Sequence, residues 1–265
     1  MNFLRALGHS GPQVSALGLG TVKFGRNQSV KYPSGFTLPT DAEIRALLQQ
    51  AHALGINLLD TAPAYGSAEQ RLGQLLENRQ QWVLATKVGE EFENGQSHFD
   101  FSAAHVTASI DRSLQRLRTD YLDLVLIHSD GSDLDILQRS DCVEALQRCR
   151  DAGKVRAIGM STKTDAGGIA AAQLLDVVML TWNLAQQDRA AAQEAARLGK
   201  GVLVKKGLMS GHVQDPTRDL VAESLTLILR EPALHSVIVG TLNPEHLRQN
   251  VEKARLALEK TQNAD

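Results

Sequence analysis

The sequence is poor in the residue patterns that mark disulfide-rich and metal-binding proteins. It has only two cysteines, Cys142 and Cys149, which lie seven positions apart in a helical pattern and form no CxxC motif. This spacing puts two small apolar side chains on one helix face, and we expect both in or near the core. The eight histidines are scattered, without a pairing such as HExxH, so we expect no metal site.

The chain also lacks a strong charge of either sign and a long hydrophobic run. A net charge of −2 gives no electrostatic attraction to nucleic acid or to an acidic membrane surface. No apolar run reaches the roughly 18 residues of a membrane span, and the first twenty residues lack a basic segment followed by an apolar one. We therefore expect a cytoplasmic protein with a small-molecule substrate, and neither nucleic acid nor membrane as a partner.

Short apolar runs alternate with amphipathic stretches from about Ser15 onward. Eight runs have the length and composition of buried strands: Ser15–Val22, Ile56–Thr61, Trp82–Val88, Leu122–His128, Val155–Ser161, Val177–Asn183, Gly201–Lys206 and Ser236–Gly240. Seven stretches have the apolar period of helices: Asp41–Leu54, Ala68–Asn78, Ala103–Leu117, Asp141–Ala152, Arg189–Leu198, Asp219–Leu229 and Pro244–Leu258.

Two kinds of signal mark the ends of these predicted helices. Thr40 occupies an N-cap position, with Glu43 three residues later as its capping-box partner. Gly55, Gly153 and Gly199 each close a helical stretch just before a strand, as glycines at the C′ position do. Strands that alternate with helices in this way indicate βαβ units and a parallel sheet.

Eight such units favour a closed barrel over an open doubly wound sheet. An open sheet typically binds a dinucleotide through a GxGxxG turn, whereas Gly18-Leu19-Gly20 is followed by Val22-Lys23 without a third glycine. The length of 265 residues also matches the roughly 250 residues of an α/β barrel. We therefore predict an α/β protein in which residues 1–265 form a single (β/α)8 TIM barrel domain.

Two segments outside the strand–helix alternation carry separate predictions. Asn2–Leu7 and Gln13–Leu17 flank His9-Ser10-Gly11, a turn sequence that predicts an N-terminal β-hairpin capping the bottom of the barrel. The connection Arg26–Pro39 is long for an α/β protein, which indicates a functional or mobile loop.

Polar side chains follow three successive predicted strands at their carboxyl ends. Asp60 and Tyr65 come at and after the end of the second strand, Lys87 ends the third, and His128 ends the fourth. The carboxyl ends of the strands form the rim that carries the active site of an α/β barrel. The four side chains are therefore expected to converge on one cavity.

These four residue types can form a proton-donating group. A phenol has a pKa of about 10, and a neighbouring ammonium lowers that pKa by stabilising the phenolate. Lys87 is expected to supply this charge to Tyr65, with Asp60 holding the lysine, while His128 orients the substrate oxygen or relays a proton. Taken singly, Asp60 could equally cap a helix and Lys87 could be a solvated surface group.

Several blocks in a fixed order resemble the aldo-keto reductase family along nearly the whole chain. They are Leu17-Gly18-Leu19-Gly20-Thr21, Asp60-Thr61-Ala62-x-x-Tyr65-Gly66-x-x-Glu69, Ala85-Thr86-Lys87, Asp120-Tyr121-Leu122-Asp123-Leu124 leading to His128, Gly153–Ser161, Ser236–Gly240 and Asn243–Asn250. The resemblance implies a barrel that binds NADPH at its carboxyl rim and transfers hydride to an aldehyde or ketone. It further implies that Tyr65 is the acid, Lys87 and Asp60 tune it, and His128 orients the substrate.

The resemblance also implies a set of cofactor-binding residues. These are Gly20, Thr21, Ser161, Thr162, Lys205, Lys206, Leu208, Ser210, Gly240, Thr241, His246 and Asn250. Ser161 matches the family's carboxamide-binding serine, whereas Thr162 stands where asparagine is frequent. Leu208 and Ser210 lie in a segment similar to the loop that wraps the pyrophosphate, where backbone N–H groups hold phosphate oxygens. Lys205 and Lys206 are expected to meet the pyrophosphate or an acidic substrate, or to form a solvated charge pair.

The adenosine end of the implied site departs from the family pattern. Gly240 and Thr241 begin the segment that contacts the 2′-phosphate, and Asn250 fits the adenine contact. His246 stands where many NADPH-preferring members have arginine, and neutral imidazole is a poor substitute for a bidentate guanidinium. NADPH is the expected cofactor and NADH the alternative.

Three other functions remain compatible with these residues. The first is a cofactor-binding regulatory subunit with little turnover, and the second is an NADH-dependent dehydrogenase running in the oxidative direction. The third is a different barrel enzyme, an isomerase or aldolase, in which Lys87 forms a Schiff base. The order of the sequence blocks favours the reductase.

Overall fold

The secondary structure alternates between strands and helices along the chain. The computed structural model describes residues 3–9, 11–212, 215 and 217–262, the last three of these by their backbone alone. The strands are β1 Leu4–Ala6, β2 Gln13–Ser15, β3 Leu17–Gly20, β4 Leu58–Asp60, β5 Val83–Val88, β6 Glu90–Glu93, β7 Gln96–Phe99, β8 Leu122–His128, β9 Val155–Ser161, β10 Val177–Thr181, β11 Gly201–Lys205 and β12 Ser236–Val239. The helices are α1 Val22–Gly25, α2 Asp41–Ala53, α3 Ala68–Leu75, α4 Ala103–Leu117, α5 Asp133–Arg139, α6 Cys142–Asp151, α7 Asp165–Leu174, α8 Arg189–Arg197, α9 Leu220–Leu229 and α10 Pro244–Gln262.

Eight of the strands close into a parallel barrel, as predicted. The strand order is β3-β4-β5-β8-β9-β10-β11-β12, and β12 pairs with β3 to complete the ring. Side chains alternate along each strand, so that Leu124 and Leu126 of β8 pack inside the barrel while Val125 and Ile127 pack beneath the helices. Because the eight strands are all parallel, their carboxyl ends lie at the same rim of the barrel.

The predicted N-terminal hairpin is present at the opposite end of the barrel. Strands β1 and β2 pair antiparallel, and Leu7 and Val14 are buried with the side chains of the barrel interior. The backbone N–H of His9 donates to the carbonyl of Gly199, just before β11, at 2.9 Å. Asn2 and Ser10 of the predicted hairpin lie outside the described residues.

The predicted signals at the helix ends are also found. The Thr40 side chain accepts from the N–H of Glu43, whose carboxylate accepts from the N–H of Thr40 at 2.7 Å. Gly55, Gly153 and Gly199 all have positive φ angles, where a side chain would be strained. Cys142 and Cys149 are buried on α6, as their spacing predicted.

The structure differs from the prediction at several elements. The predicted strand Ser15–Val22 is divided, because Ser15 belongs to the hairpin and Val22 already begins α1. Helix α7 follows β9, where two adjacent glycines weaken the helical pattern, and the short helix α5 precedes α6. The antiparallel hairpin of β6 and β7 follows the third barrel strand and was not predicted.

Two glycines allow the turn that carries Tyr65 to approach α1 at backbone distance. Tyr65 ends a 3-10 turn, Pro63–Tyr65, after β4. A methyl group on Gly25 would lie 2.3 Å from the backbone N of Ala68 and 2.4 Å from the carbonyl oxygen of Tyr65. A methyl group on Gly66, whose φ is +61°, would lie 2.2 Å from the oxygen of Gly25. The position of Tyr65 thus depends on two residues without side chains.

Within the described part of the chain, no helix combines the length and the apolar character needed to cross a bilayer.

Gly25→Ala tests this close packing. The added methyl meets backbone atoms that cannot rotate away, so we expect the free energy of unfolding to fall by about 1–3 kcal/mol. Gly35→Ala is the matched control, because among the described residues other than its two chain neighbours none has an atom within 4 Å of the added methyl. Urea denaturation of the two variants measures the difference, and equal stability would contradict the packing described.

Candidate active site

Four polar side chains meet at the carboxyl rim because neighbouring strands end there. Asp60 is the last residue of β4, Lys87 lies near the end of β5, and His128 is the last residue of β8. These three strands are consecutive in the barrel, and the turn after β4 brings Tyr65 to the same place. The structure therefore brings the four residues together at one rim, as predicted.

Lys87 and Asp60 form a buried ion pair. Nζ of Lys87 donates to Oδ1 of Asp60 at 2.6 Å and to the carbonyl oxygen of Thr61 at 2.9 Å. The two residues are only 2% and 4% exposed. Nζ also lies 4.8 Å from the centre of the Tyr65 ring, within the range of a cation–π contact.

The acidity of Tyr65 differs from the prediction. Burial raises the pKa of Tyr65 well above its ordinary value, and the negative charges of Asp60 and Glu90 raise it further. Lys87 was predicted to lower this pKa, but burial and the nearby negative charges outweigh the positive charges around the ring. The Tyr65 hydroxyl is therefore protonated at neutral pH.

His128 stands edge-on to Tyr65 and pairs on its other side with Glu90. The two ring centres are 6.2 Å apart at an angle of 87°. Nδ1 of His128 lies 2.8 Å from Oε2 of Glu90, within ion-pair distance, but the two atoms are not aligned for a hydrogen bond. Burial lowers the pKa of His128 despite the nearby carboxylate. Burial alone would raise the pKa of Glu90, but contacts with His128 and with Ser97 hold it at about 2.

A cavity of about 670 Å³ opens above these four residues. It contains every predicted site residue except two: Gly20, Asp60, Tyr65, Lys87, His128, Ser161, Lys205, Lys206, Leu208, Ser210, Gly240, Thr241, His246 and Asn250 line it. The exceptions are Thr21 and Thr162, which are fully buried beside it. The N–H and hydroxyl of Thr21 both donate to the carbonyl of Asp60, at 2.9 and 3.0 Å, so Thr21 supports the end of β4.

The lining of the cavity is strongly basic. Besides Lys87, six lysines line it, namely Lys23, Lys31, Lys163, Lys205, Lys206 and Lys253, while Asp60 is the acidic residue among the lining side chains. Lys205 donates to Oγ of Ser161 at 2.9 Å and to the carbonyl of Thr162. Burial, reinforced by the neighbouring Lys206, lowers the pKa of Lys205 to about 7.

This lining fits a long, anionic dinucleotide. The volume is within the range of sites for small molecules and cofactors, and the lysines match the charge of a pyrophosphate. The hydroxyl group of Ser161, which lines the cavity, accepts from Lys205 and can meet a polar ligand atom. The hydroxyl group of Thr162 is buried outside the lining and has no hydrogen-bond partner among the described residues.

Where α10 meets the cavity, no arginine is among the described lining residues. His246 and Lys253 line it, and Lys253 is paired with Asp219 at 2.8 Å. Arg248 lies outside the lining, where it contacts Glu245 and Glu252 on the exposed face of α10.

Some residues that shape the site were missed by the sequence reasoning. Glu90 belongs to the unpredicted hairpin, although Asn94-Gly95 is a strong hairpin-turn signal. Asp133 is buried and accepts from the backbone of Lys163 and Thr164, which holds the loop after Ser161. Tyr32, in the predicted functional loop, also lines the cavity. Such long-range contacts leave no periodic pattern in a sequence.

Comparison with known proteins gives a consistent family assignment. Residues 16–211 match the model of the aldo/keto reductase family. L-galactose dehydrogenase of Arabidopsis thaliana is 38% identical over 165 residues, and the match covers 60% of this chain and 48% of that enzyme. The NADH-specific methylglyoxal reductase of Escherichia coli is 27% identical over 79% of this chain and 82% of its own.

A solved structure extends the similarity to almost the full length. A Pseudomonas aeruginosa protein described as an aldo-keto reductase is 49% identical, with a TM-score of 0.89 over 97% of this chain and 96% of its own. The match to the Arabidopsis enzyme spans about half of that relative. Because the family model covers well over half of the chain, the protein belongs to the aldo/keto reductase family.

Proposed function

We propose that this protein reduces an aldehyde or ketone to an alcohol with a nicotinamide cofactor, NADPH in preference to NADH, and that Tyr65 donates the proton. The observation that carries the proposal is the buried Lys87–Asp60 pair beside the Tyr65 ring, at the floor of a basic cavity. A carbonyl group bound above these residues would contact the protonated hydroxyl of Tyr65, whose ring lies beside the ammonium of Lys87.

The proton step follows from the acidities of the groups. When bound, the cofactor supplies a hydride to the carbonyl carbon, which leaves negative charge on the oxygen. The raised pKa keeps Tyr65 protonated at neutral pH, and an alkoxide is still far more basic than a phenolate. Tyr65 therefore donates as the charge develops, and Lys87 stabilises the phenolate that remains.

We assign the other predicted residues to contacts with the cofactor. Ser161, Lys206, Leu208 and Ser210 line the cavity, whereas Thr162 is buried beside it. His246 and Asn250 of α10 would meet the adenosine end. This assignment follows the position of each residue along the cavity.

Two alternatives are weaker on chemical grounds. Lys87 is a poor Schiff-base amine, because its Nζ already donates to Asp60 and to Thr61. A regulatory subunit without turnover would not require a buried ion pair beneath a phenol. The reverse reaction, oxidation of an alcohol, uses the same groups and is the second candidate, since a relative is named a dehydrogenase.

Tyr65→Phe tests the proton donor. The variant keeps the ring and loses the hydroxyl, so reduction of methylglyoxal should slow by about 10²–10⁴-fold, the range typical of general acid catalysis. The affinity for NADPH, measured by fluorescence titration, should stay the same. Tyr121→Phe removes the hydroxyl of a ring that lies against Arg79 and Arg156 and does not line the cavity, and this variant should remain fully active. Near-normal turnover by Tyr65→Phe would exclude it as the donor.

A second experiment tests the adenosine end. With histidine at 246, we expect only a modest preference for NADPH over NADH. His246→Arg should tighten NADPH binding by about ten- to a hundredfold, the contribution of one charge-assisted hydrogen bond, and leave NADH nearly unchanged.

The control for this experiment is Leu256→Arg. It adds the same charge to an exposed position of α10 and should alter neither affinity. If the unmodified protein selects NADPH by thousands-fold, another cation reaches the phosphate, and the first candidates are Lys253, which lines the cavity, and Arg248, which lies outside the lining.

A further inference from the structure

One lysine at the floor of the cavity, where the barrel strands end, has no carboxylate partner. Nζ of Lys205, the last residue of β11, donates to Oγ of Ser161 at 2.9 Å and to the carbonyl oxygen of Thr162. Among the described residues, no carboxylate lies within ion-pair distance of this nitrogen, whereas Lys87 pairs with Asp60. An ammonium that protein surrounds without a counter-charge is costly, and its presence in the lining points to a ligand.

The hydrogen bond to Ser161 places this ammonium close to the proposed proton donor. Ser161 ends β9 and lies in register with His128, the last residue of the neighbouring strand β8. The ring of His128 in turn stands edge-on to Tyr65. The side chain of Lys205 therefore reaches from β11 past β10 to β9, and its charge lies one strand away from the imidazole.

A nicotinamide ring in position to react has to lie over this part of the floor. In the proposed reduction, the carbonyl oxygen is within hydrogen-bond reach of Tyr65, and the carbon that gives the hydride is about 3–3.5 Å from the carbonyl carbon. The adenosine end of the same molecule is assigned to α10, and the lining between α10 and Tyr65 includes Lys205 and Leu208. We therefore expect the ring beside the ammonium of Lys205.

The two oxidation states of the cofactor differ in charge at this ring. The reduced nicotinamide is neutral, whereas the oxidised nicotinamide carries one positive charge, and the rest of the molecule is the same in both. Two positive charges about 5 Å apart repel each other far more strongly inside a protein than in water. A charged Lys205 therefore acts against the oxidised form alone.

We propose that Lys205 contacts the cofactor and that its positive charge makes the site bind the reduced nicotinamide more tightly than the oxidised one. The oxidised cofactor is then released readily after hydride transfer. Oxidation of an alcohol is disfavoured at limiting cofactor, because the form that this direction requires binds weakly. This inference rests on the proposed function, reduction of a carbonyl with a nicotinamide cofactor.

The preference depends on pH because Lys205 can lose its proton. Burial and the neighbouring Lys206 lower the pKa of Lys205 to about 7, so its charge is present below this pH and lost above it. Loss of the proton relieves the repulsion, which therefore cannot exceed about tenfold for each pH unit below the pKa. The charged and titratable groups that act on Lys205, or on which it acts, are Lys206, Lys87, His128, Asp133 and Asp188.

Lys205→Met tests the inference by binding alone, without substrate. Calorimetric titration gives the Kd of NADP+ and of NADPH for each protein, and the ratio of the two Kd values measures the preference. At about pH 6, the ratio in Lys205→Met should be about tenfold lower than in the unmodified protein, mainly through tighter binding of NADP+. At about pH 8, where Lys205 is uncharged, the two ratios should agree within about twofold. The affinity for NADPH also reports that the variant is folded.

Two further variants complete the experiment. Lys253→Met removes a lysine of the lining where α10 meets the cavity, so it should change both affinities alike and leave the ratio as it is. Lys205→Arg keeps a charge that does not titrate, and it should retain the preference for NADPH at about pH 8.

Equal ratios in Lys205→Met and the unmodified protein at about pH 6 would overturn the inference, while the proposed function would stand. If the unmodified protein bound neither NADPH nor NADP+, the proposed function would fall and the inference with it.

Discussion

The ion pair between Lys87 and Asp60 is the interaction on which the rest of the site depends. Two charges are taken out of water inside a closed barrel, which is costly unless geometry and hydrogen bonds compensate. Adjacent parallel strands supply that geometry, because β4 and β5 bring both residues to the same rim. Thr21 and Thr61 complete the hydrogen bonds around the pair. The charge of Lys87 thereby stays fixed beneath the ring of Tyr65.

Contacts in the surrounding fold hold the residues of the site in position. The turn that carries Tyr65 is packed against α1 through two glycines, and this packing places the phenol ring beside the ammonium of Lys87. Asp133 ties the loop after β9 to that after β8, and with it the polar groups expected to meet the cofactor. The lysines of the cavity supply the charge that an anionic dinucleotide needs. Each of these contacts joins residues far apart in the sequence.

Periodicity and end signals were enough to predict the eight strands, the barrel and the convergence of Asp60, Lys87 and His128 on one rim. They were not enough for α7, because adjacent glycines weaken its helical pattern, or for the hairpin of Glu90, whose short strands are mostly exposed. The pKa of Tyr65 is raised and not lowered as predicted, since burial and the charge of Asp60 act through three-dimensional contacts. The periodicity of the sequence therefore predicts the barrel, whereas the pKa of Tyr65 depends on packing in three dimensions.

The most direct test distinguishes the role of the Lys87 charge in catalysis from the contribution of the Lys87–Asp60 pair to the stability of the fold. Lys87→Met leaves Asp60 unpaired and should cost about 3–5 kcal/mol of unfolding free energy, most of which the double variant with Asp60→Leu should regain. Reduction should remain at least about a hundredfold below normal in both, because neither has an ammonium beside Tyr65. If the double variant recovers carbonyl reduction together with stability, the pair is only structural and the account is contradicted.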